Sequence, residues 1–484
     1  MIVKFSVSNF LSFNSEQTLS MEAGKARRHA SRLYKNRSLR VLKFMGLFGG
    51  NAEGKSNLIK AINFMKSMVI EELPRGFSNS YFRENPINKE KPSEFNIVIL
   101  RNKRRYEYGF SIILSKGSIK KEYLYKLQGN GVKKCIYERN IEDNYFEVGD
   151  QIKVKKNRNR LKMYGEDSLL NGESLFINIM NHGKDALYTE KTELNVIKDV
   201  YEWFRDGITI NEPGKLLSER PFYTDSNIAE VGEILKALGL GITDFRYIDV
   251  PLERIQNMLP KSMLEDILSE LEKGNVESES EPGVVLRSNK EFYTFQIDKE
   301  NQLKIQTIAF QHEKDGIFFD LNEESDGTAR LFDLVEILLP SSKDQVFIID
   351  DIDRGLHPIM TTNLIKAFLA LAETRKTQLI VTTHESRLLD DDMLRSDEVN
   401  FVVKDKDGAS SLKKLEDFNL RSDKNVLTAL FDGSLDAVNP DIDYETLLNV
   451  VNGRYDAKNK KEAKEVKEVK EEKEKEGATN ENYF

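Results

Sequence analysis

The hydrophobic positions of this chain fall into three regimes. Residues 2–8 alternate and predict a strand, Asn9-Phe10-Leu11-Ser12-Phe13 a turn, and 16–22 a second strand. Val41 to Phe48 is apolar enough for a strand entering a sheet. Leu58, Ile62 and Met65 then recur at helical spacing. Short β-patterned runs follow at 95–100, 106–114, 123–127 and 135–138, the pattern of an antiparallel meander. From about 168 to 275 the period turns helical, with one stripe at Leu194, Ile197, Val200, Tyr201 and Phe204 and another at Ile228, Val231, Leu235 and Leu238. Such stripes serve first as core, with partner binding the alternative. Beyond a polar, acidic linker at 274–283, strand patterns resume at 284–320. A helix at 326–338, a buried strand at 345–349, a helix at 358–373 and a buried strand at 378–382 then alternate as in a parallel sheet covered by helices.

This pattern predicts an α/β protein with a mixed sheet, an antiparallel β subdomain and a helical insertion. The expected parts are an N-terminal lobe at 1–165, the insertion at 166–280, a C-terminal lobe at 281–435, a helix at 436–455 and a charged tail at 456–484.

Gly49-Gly50-Asn51-Ala52-Glu53-Gly54-Lys55-Ser56 lies between the predicted strand and helix and fits G-x-x-x-x-G-K-[ST]. Gly49 and Gly54 let successive N–H groups, with Asn51 and Glu53 between them, turn inward on a polyphosphate. Lys55 supplies a cation for the β/γ-phosphates, Ser56 a hydroxyl for Mg²⁺, and the helix opening at Asn57 its positive end. ATP or GTP is the implied ligand.

Val346-Phe347-Ile348-Ile349 ends in Asp350-Asp351, so a buried strand delivers one carboxylate to Mg²⁺ and a second to the attacking water. His384 follows the strand Leu379-Ile380-Val381, placed to sense the γ-phosphate. Ser325 or Asp326 caps a helix start with Gly327 beside it. Either this is simply a capped helix, or it binds the terminal phosphate of a second subunit's nucleotide.

In this order the motifs resemble the ABC-type ATPase heads of the SMC and OLD group, and most closely the AbiLi/RloA-like ATPases of bacterial abortive-infection systems; the ATPase of the PARIS phage-defence system is similar. The likeness rests on Phe5 to Phe13, Gly50 to Asn57, Glu324 to Thr328, Asp350-Asp351-Ile352-Asp353-Arg354-Gly355-Leu356-His357-Pro358 and Thr383-His384-Glu385. It implies head-to-head dimers, built into a homo-oligomer, in which Ser325, Asp326 and Gly327 of one copy complete the partner's ATP·Mg²⁺ site. It also implies a separately encoded effector, such as a TOPRIM-type nuclease, and a phage-derived trigger. Asp351 stands where the family usually has Glu and Gly355 where it usually has Ser, and no glutamine lies between Ser56 and Leu100. The shorter Asp351 implies slow hydrolysis.

The totals narrow the classes. A net charge of −8 gives no global attraction to nucleic acid or anionic membrane. The single cysteine, Cys135, excludes an internal disulfide. No apolar run spans a bilayer and no signal peptide is visible, so a cytoplasmic protein without membrane contact is expected. Arg101 to Arg105 and Lys153 to Lys162 are the strongest basic runs; without interleaved aromatics they read first as solvated faces. A DNA-repair or DNA-binding ATPase of the SMC/OLD kind is the alternative function, and a transport ATPase ranks below it. Val402 to Asp407 mimics the Asp-x-Asp strand end of a TOPRIM nuclease, but a hairpin turn is the better reading.

Overall fold

The computed structural model describes residues 1–37, 39–71, 73–129, 131–217, 228–274, 283–287, 291–297, 302–312, 316–339, 344–389, 393–418, 426 and 445–451. Residues 1–438 form one unit and 439–484 a second, in which 445–451 are helical. The remainder of the expected C-terminal helix and charged tail, and most of the expected linker at 274–283, lie outside the described residues.

Alternation in the first strand, Ile2–Ser8, buries Val3, Phe5 and Val7 on one face and sends Lys4, Ser6 and Ser8 to the other. This strand belongs to an antiparallel sheet ordered Tyr145–Val148, Lys133–Asn140, Ser118–Leu127, Arg104–Ile113, Ser93–Arg101, Ile2–Ser8 and Gln17–Ser20. It is the meander the short apolar runs predict.

A second sheet is ordered Ile208–Asn211, Val346–Ile349, Gln378–Thr382, Phe44–Phe48, Val399–Lys404 and Ser410–Lys414. Its first five strands are parallel and the last is antiparallel. Every residue of Phe44–Phe48, Val346–Ile349 and Gln378–Thr382 is buried, which is why they read as unbroken apolar runs. The Gln378 side chain joins the two sheets. It accepts from Ile2 N at 2.8 Å and donates to the carbonyls of Ile2 at 3.0 Å and Leu42 at 2.8 Å.

A third, antiparallel sheet holds Asp244–Asp249, Leu303–Gln311, Phe292–Ile297 and Gly283–Arg287, with Phe318–Asp320 beside Leu303–Gln311. The helices Leu252–Met258 and Lys261–Gly274, parted by Pro260, bury Ile255, Ile267 and Leu271 against it.

The stretch 166–280, expected as a helical insertion, is not helical throughout. The helix Asn195–Asp206 sinks Ile197, Val200, Trp203 and Phe204 into the core beneath the first sheet, so this stripe is core. The chain then gives Ile208–Asn211 to the edge of the parallel sheet and Asp244–Asp249 to the third sheet. Among the described residues no helix is long and apolar enough to cross a membrane.

The whole arrangement is the expected α/β head: a P-loop sheet of parallel strands with an antiparallel β lobe beside it. Three neighbouring parallel strands, Val346–Ile349, Gln378–Thr382 and Phe44–Phe48, end side by side, with Ile349 paired to Val381 and Thr382 to Leu47. Loops at such carboxyl ends are where open parallel sheets bind ligands.

Candidate functional site

The glycine loop leaves Phe44–Phe48 at Gly49, which has φ 147° and where a Cβ would stand 2.5 Å from the Val402 carbonyl oxygen. It ends at Gly54, with φ 110°, where a Cβ would stand 2.3 Å from Ser410 Oγ and 2.7 Å from Ser12 Oγ. Both hydroxyls brace the loop. Ser410 Oγ bonds Ser12 Oγ at 2.7 Å and the Glu53 carbonyl at 2.6 Å, and Asn57 Nδ2 donates to Ser12 Oγ at 2.8 Å. The Glu53 carboxylate accepts the Lys404 N–H. The helix Lys55–Ile70 begins here without a side-chain cap, so its first N–H groups are left for an anion.

Lys55 is 5% exposed, and its ammonium donates to the carbonyls of Gly49 and Gly50 at 2.8 Å each. Burial pulls its pKa below the usual lysine value, while Asp351, Asp350, Asp353 and Glu53 pull the other way. The carbonyls hold the cation at the loop it would use, and phosphate oxygens are stronger partners than carbonyls for an ammonium.

Asp350 is 2% exposed at the end of Val346–Ile349. Burial raises its pKa, and hydrogen bonds from the Thr382 and Ser56 side chains oppose the rise. Ser56 and Asp350, the two expected Mg²⁺ ligands, therefore meet. Among the described residues no group of three or more His, Cys, Asp and Glu could hold a metal alone. A hydroxyl and one carboxylate suit Mg²⁺, which keeps waters and phosphate oxygens in most of its sphere.

Asp351 takes a left-handed φ of 50°, and its N–H donates to Thr382 Oγ1 at 2.7 Å. Its carboxylate lies 3.8 Å from His384 Nε2, and the His384 N–H donates to the Asp353 carboxylate at 3.3 Å. Asp351 and His384 line one cavity with Asn51, Glu53, Gly54, Lys55, Ser56, Asn57 and Lys404.

Ser325, Asp326 and Gly327 do not line that cavity. Ser325 is the N-cap of the helix Asp326–Leu334 and accepts the Thr328 N–H at 3.1 Å. A Cβ on Gly327 would sit 3.0 Å from the Gly355 carbonyl. Asp326 lines a separate cavity with Arg330, Arg354 and Gly355. One turn, Asp350 to Gly355, thus reaches the Lys55 cavity at one end and the Ser325 helix tip at the other.

Sequence reasoning gave no individual role to Ser12, Thr382, Asp353, Lys404 or Ser410. Thr382 stands two residues before His384, but nothing marks the hydroxyls of Ser12 and Ser410, which are 398 positions apart.

Residues 44–149 and 225–390, more than half of the chain, match the family described as "AAA domain, putative AbiEii toxin, Type IV TA system". The chain belongs to this family. The matched segments of this AAA-domain protein carry the glycine loop, the Ser325 helix tip, Asp350-Asp351 and His384. Among solved structures it is similar to three SMC heads. One is the SMC head bound to the C-winged helix domain of ScpA, at 14% identity over 85% of this chain and 96% of that one, with a TM-score of 0.38. The SMC head domain from Thermotoga maritima is 12% identical over 85% and 98%, TM-score 0.31. The Smc head domain with a coiled coil and joint derived from Pyrococcus yayanosii is 12% identical over 90% and 99%, TM-score 0.35. Among curated proteins no sequence matches.

Proposed function

We propose that this AAA-family protein binds and hydrolyses ATP as one of two heads joined face to face, and that its nucleotide state controls a separately encoded effector in an anti-phage abortive-infection system. The observation that carries the reading is the convergence of Lys55, Ser56, Asp350, Asp351 and His384 at the ends of three adjacent parallel strands. Ser56 and Asp350 would hold Mg²⁺, which would supply positive charge to the phosphate oxygens. Lys55 transfers its hydrogen bonds from the loop carbonyls to the β/γ-phosphates. Asp351 orients the attacking water, and His384 donates to the terminal phosphate.

The exposed Ser325, lying outside the Lys55 cavity, supports completion of the site by a second copy. A TOPRIM-type nuclease as the separate effector fits a chain whose own Asp-x-Asp run is spent on a turn. The strands Val399–Lys404 and Ser410–Lys414 form a hairpin, and Asp405 Oδ1 accepts the N–H groups of Asp407 and Ala409 at 3.0 and 2.8 Å. The toxin–antitoxin wording attached to the matched family accords with a defence role.

Mixing two inactive variants tests the composite site. Lys55→Ala cannot hold nucleotide and Ser325→Arg cannot seal its partner's, yet a mixed dimer retains one whole site, so ATPase activity returns on mixing. A mixture that stays inactive while both variants remain folded rejects the face-to-face arrangement. ATP-dependent copurification of a nuclease encoded beside it tests the effector.

A further inference from the structure

The basic run Arg101 to Arg105 plays no part in the nucleotide site, and the fold gives it company. Ser93–Arg101 and Arg104–Ile113 form a hairpin closed by Asn102 and Lys103, with Arg101 paired to Arg104. A second hairpin, Tyr34–Asn36 with Leu39–Val41, brings Arg37 alongside, and Asn36 Nδ2 donates to the Lys103 carbonyl at 3.3 Å. Lys126 arrives on the next strand, and Arg105 is fixed by donating to the Gln128 carbonyl at 2.6 Å. Arg37, Lys103, Arg104, Arg105 and Lys126 line one cavity, and no acidic residue is among the described residues lining it. Asp199, on a helix beneath the sheet, is an acid whose charge reaches Arg104 and Arg101. Lys133, paired to Leu127 one strand further on, is engaged with Glu107 at 2.8 Å.

The second basic run approaches the same end of the sheet. After Tyr145–Val148 the Gly149 N–H bonds the Ile136 carbonyl at 3.0 Å, and the helix Lys155–Ser168 starts there, with Arg158 donating to the Val148 carbonyl at 2.6 Å. Lys155 and Lys156 on its first turn are exposed. From Ser93–Arg101 to Tyr145–Val148 is four strand spacings, about 19 Å.

The backbone at the two hairpin tips adds an independent observation. Arg37, Asn102 and Lys103 have φ of 54°, 51° and 61°. A two-residue turn with both φ positive favours glycine at its second position, yet Lys103 stands there. A long cationic side chain is held where glycine would fit better, and such local cost gathers at functional positions.

We propose that this end of the antiparallel sheet binds the phosphate backbone of double-stranded nucleic acid. Guanidinium and ammonium groups drawn from three separate chain segments suit phosphodiester oxygens. Among the described residues the cavity lining contains no aromatic side chain on which splayed bases could stack, so a duplex is favoured over a single strand. The contact reads backbone and carries no sequence preference.

The test measures binding of the full chain to 30-base-pair DNA and RNA duplexes of mixed sequence by fluorescence anisotropy across a salt series. Five cations predict a log–log salt slope of about −4.5, or about 500-fold weakening between 50 and 200 mM salt. Arg37→Gly/Lys103→Gly keeps a backbone that glycine accepts, so it folds and retains basal ATPase activity, while its slope falls by about 2 and its affinity drops on every sequence. Binding of either duplex with these slopes supports the proposal, and the two arms say which nucleic acid serves. Failure of the folded wild type to bind either duplex at 50 mM salt overturns it. So does unchanged affinity in the double variant, tighter binding of single strands, or loss of duplex binding to competing phosphatidylserine vesicles.

Discussion

The Thr382 hydroxyl donates to Asp350 Oδ1 at 2.5 Å while its oxygen accepts the Asp351 N–H at 2.7 Å. One side chain on the middle strand thereby sets both acids of the neighbouring strand. Thr382→Val keeps the shape and removes the bond. The Asp350 carboxyl, already raised by burial, then rises further. We expect the Mg²⁺ concentration for half-maximal ATPase activity to increase at least about tenfold, and the acid limb of the pH–rate profile to shift upward. Titrations of activity against Mg²⁺ and pH check both.

Lys55 and Asp351 share a cavity but should fail differently. Lys55→Ala removes the cation and should abolish the thermal shift produced by MgATP. Asp351→Asn keeps binding and loses the water-orienting charge, so turnover falls at least about 100-fold while the ATP-bound dimer accumulates. Isothermal titration and size-exclusion chromatography with ATP separate the two outcomes. Normal hydrolysis by Asp351→Asn would sink that role.

Ser410 braces the loop from a distant part of the chain. Ser410→Ala removes its bonds to Ser12 and the Glu53 carbonyl and should lower stability by about 1–2 kcal/mol. ATP affinity should fall several-fold with hydrolysis otherwise intact. Gly54→Ala is harsher, since its Cβ collides with the same two hydroxyls at a φ closed to alanine, and binding should vanish. Thermal melts and a fluorescent ATP analogue read both.

Glu336, behind the Ser325 helix, has its carboxyl pushed up to about 7 by burial, with Asp333 adding to the effect and Arg287 opposing it. Its Oε2 is buried and has no hydrogen-bond partner among the described residues. A carboxyl whose folded pKa exceeds its unfolded value holds its proton more tightly in the folded state. Folding is therefore unpenalised below about pH 4.5 and loses stability as pH rises through 7, by about 3 kcal/mol in all. Glu336→Gln should remove that slope and melt higher at pH 8 than the wild type. Equilibrium urea unfolding at pH 5 and pH 8 measures it.

The phosphate loop, the Asp350 strand and the meander were legible because each writes its demands locally: glycines where φ must be positive, unbroken apolar runs where both strand faces are covered, and alternation where one is. Ile208–Asn211 escaped notice because four residues between helical stripes carry too little periodicity, and its partner strand begins at Val346. Ser12, Ser410 and Thr382 escaped for a related reason, since a hydroxyl that braces a loop across the sheet leaves no pattern around itself. The basic runs were visible as composition, but only the strand register shows that they share an end of one sheet.

The Phe44–Phe48 strand is flanked by Gln378–Thr382 and Val399–Lys404. On the ribosome, a nascent chain that has already displayed its glycine loop still lacks both walls of that loop and the acids Asp350, Asp351 and Asp353. Nucleotide capture is therefore among the last events of synthesis, and a prematurely released fragment carries the motif without the ability to use it.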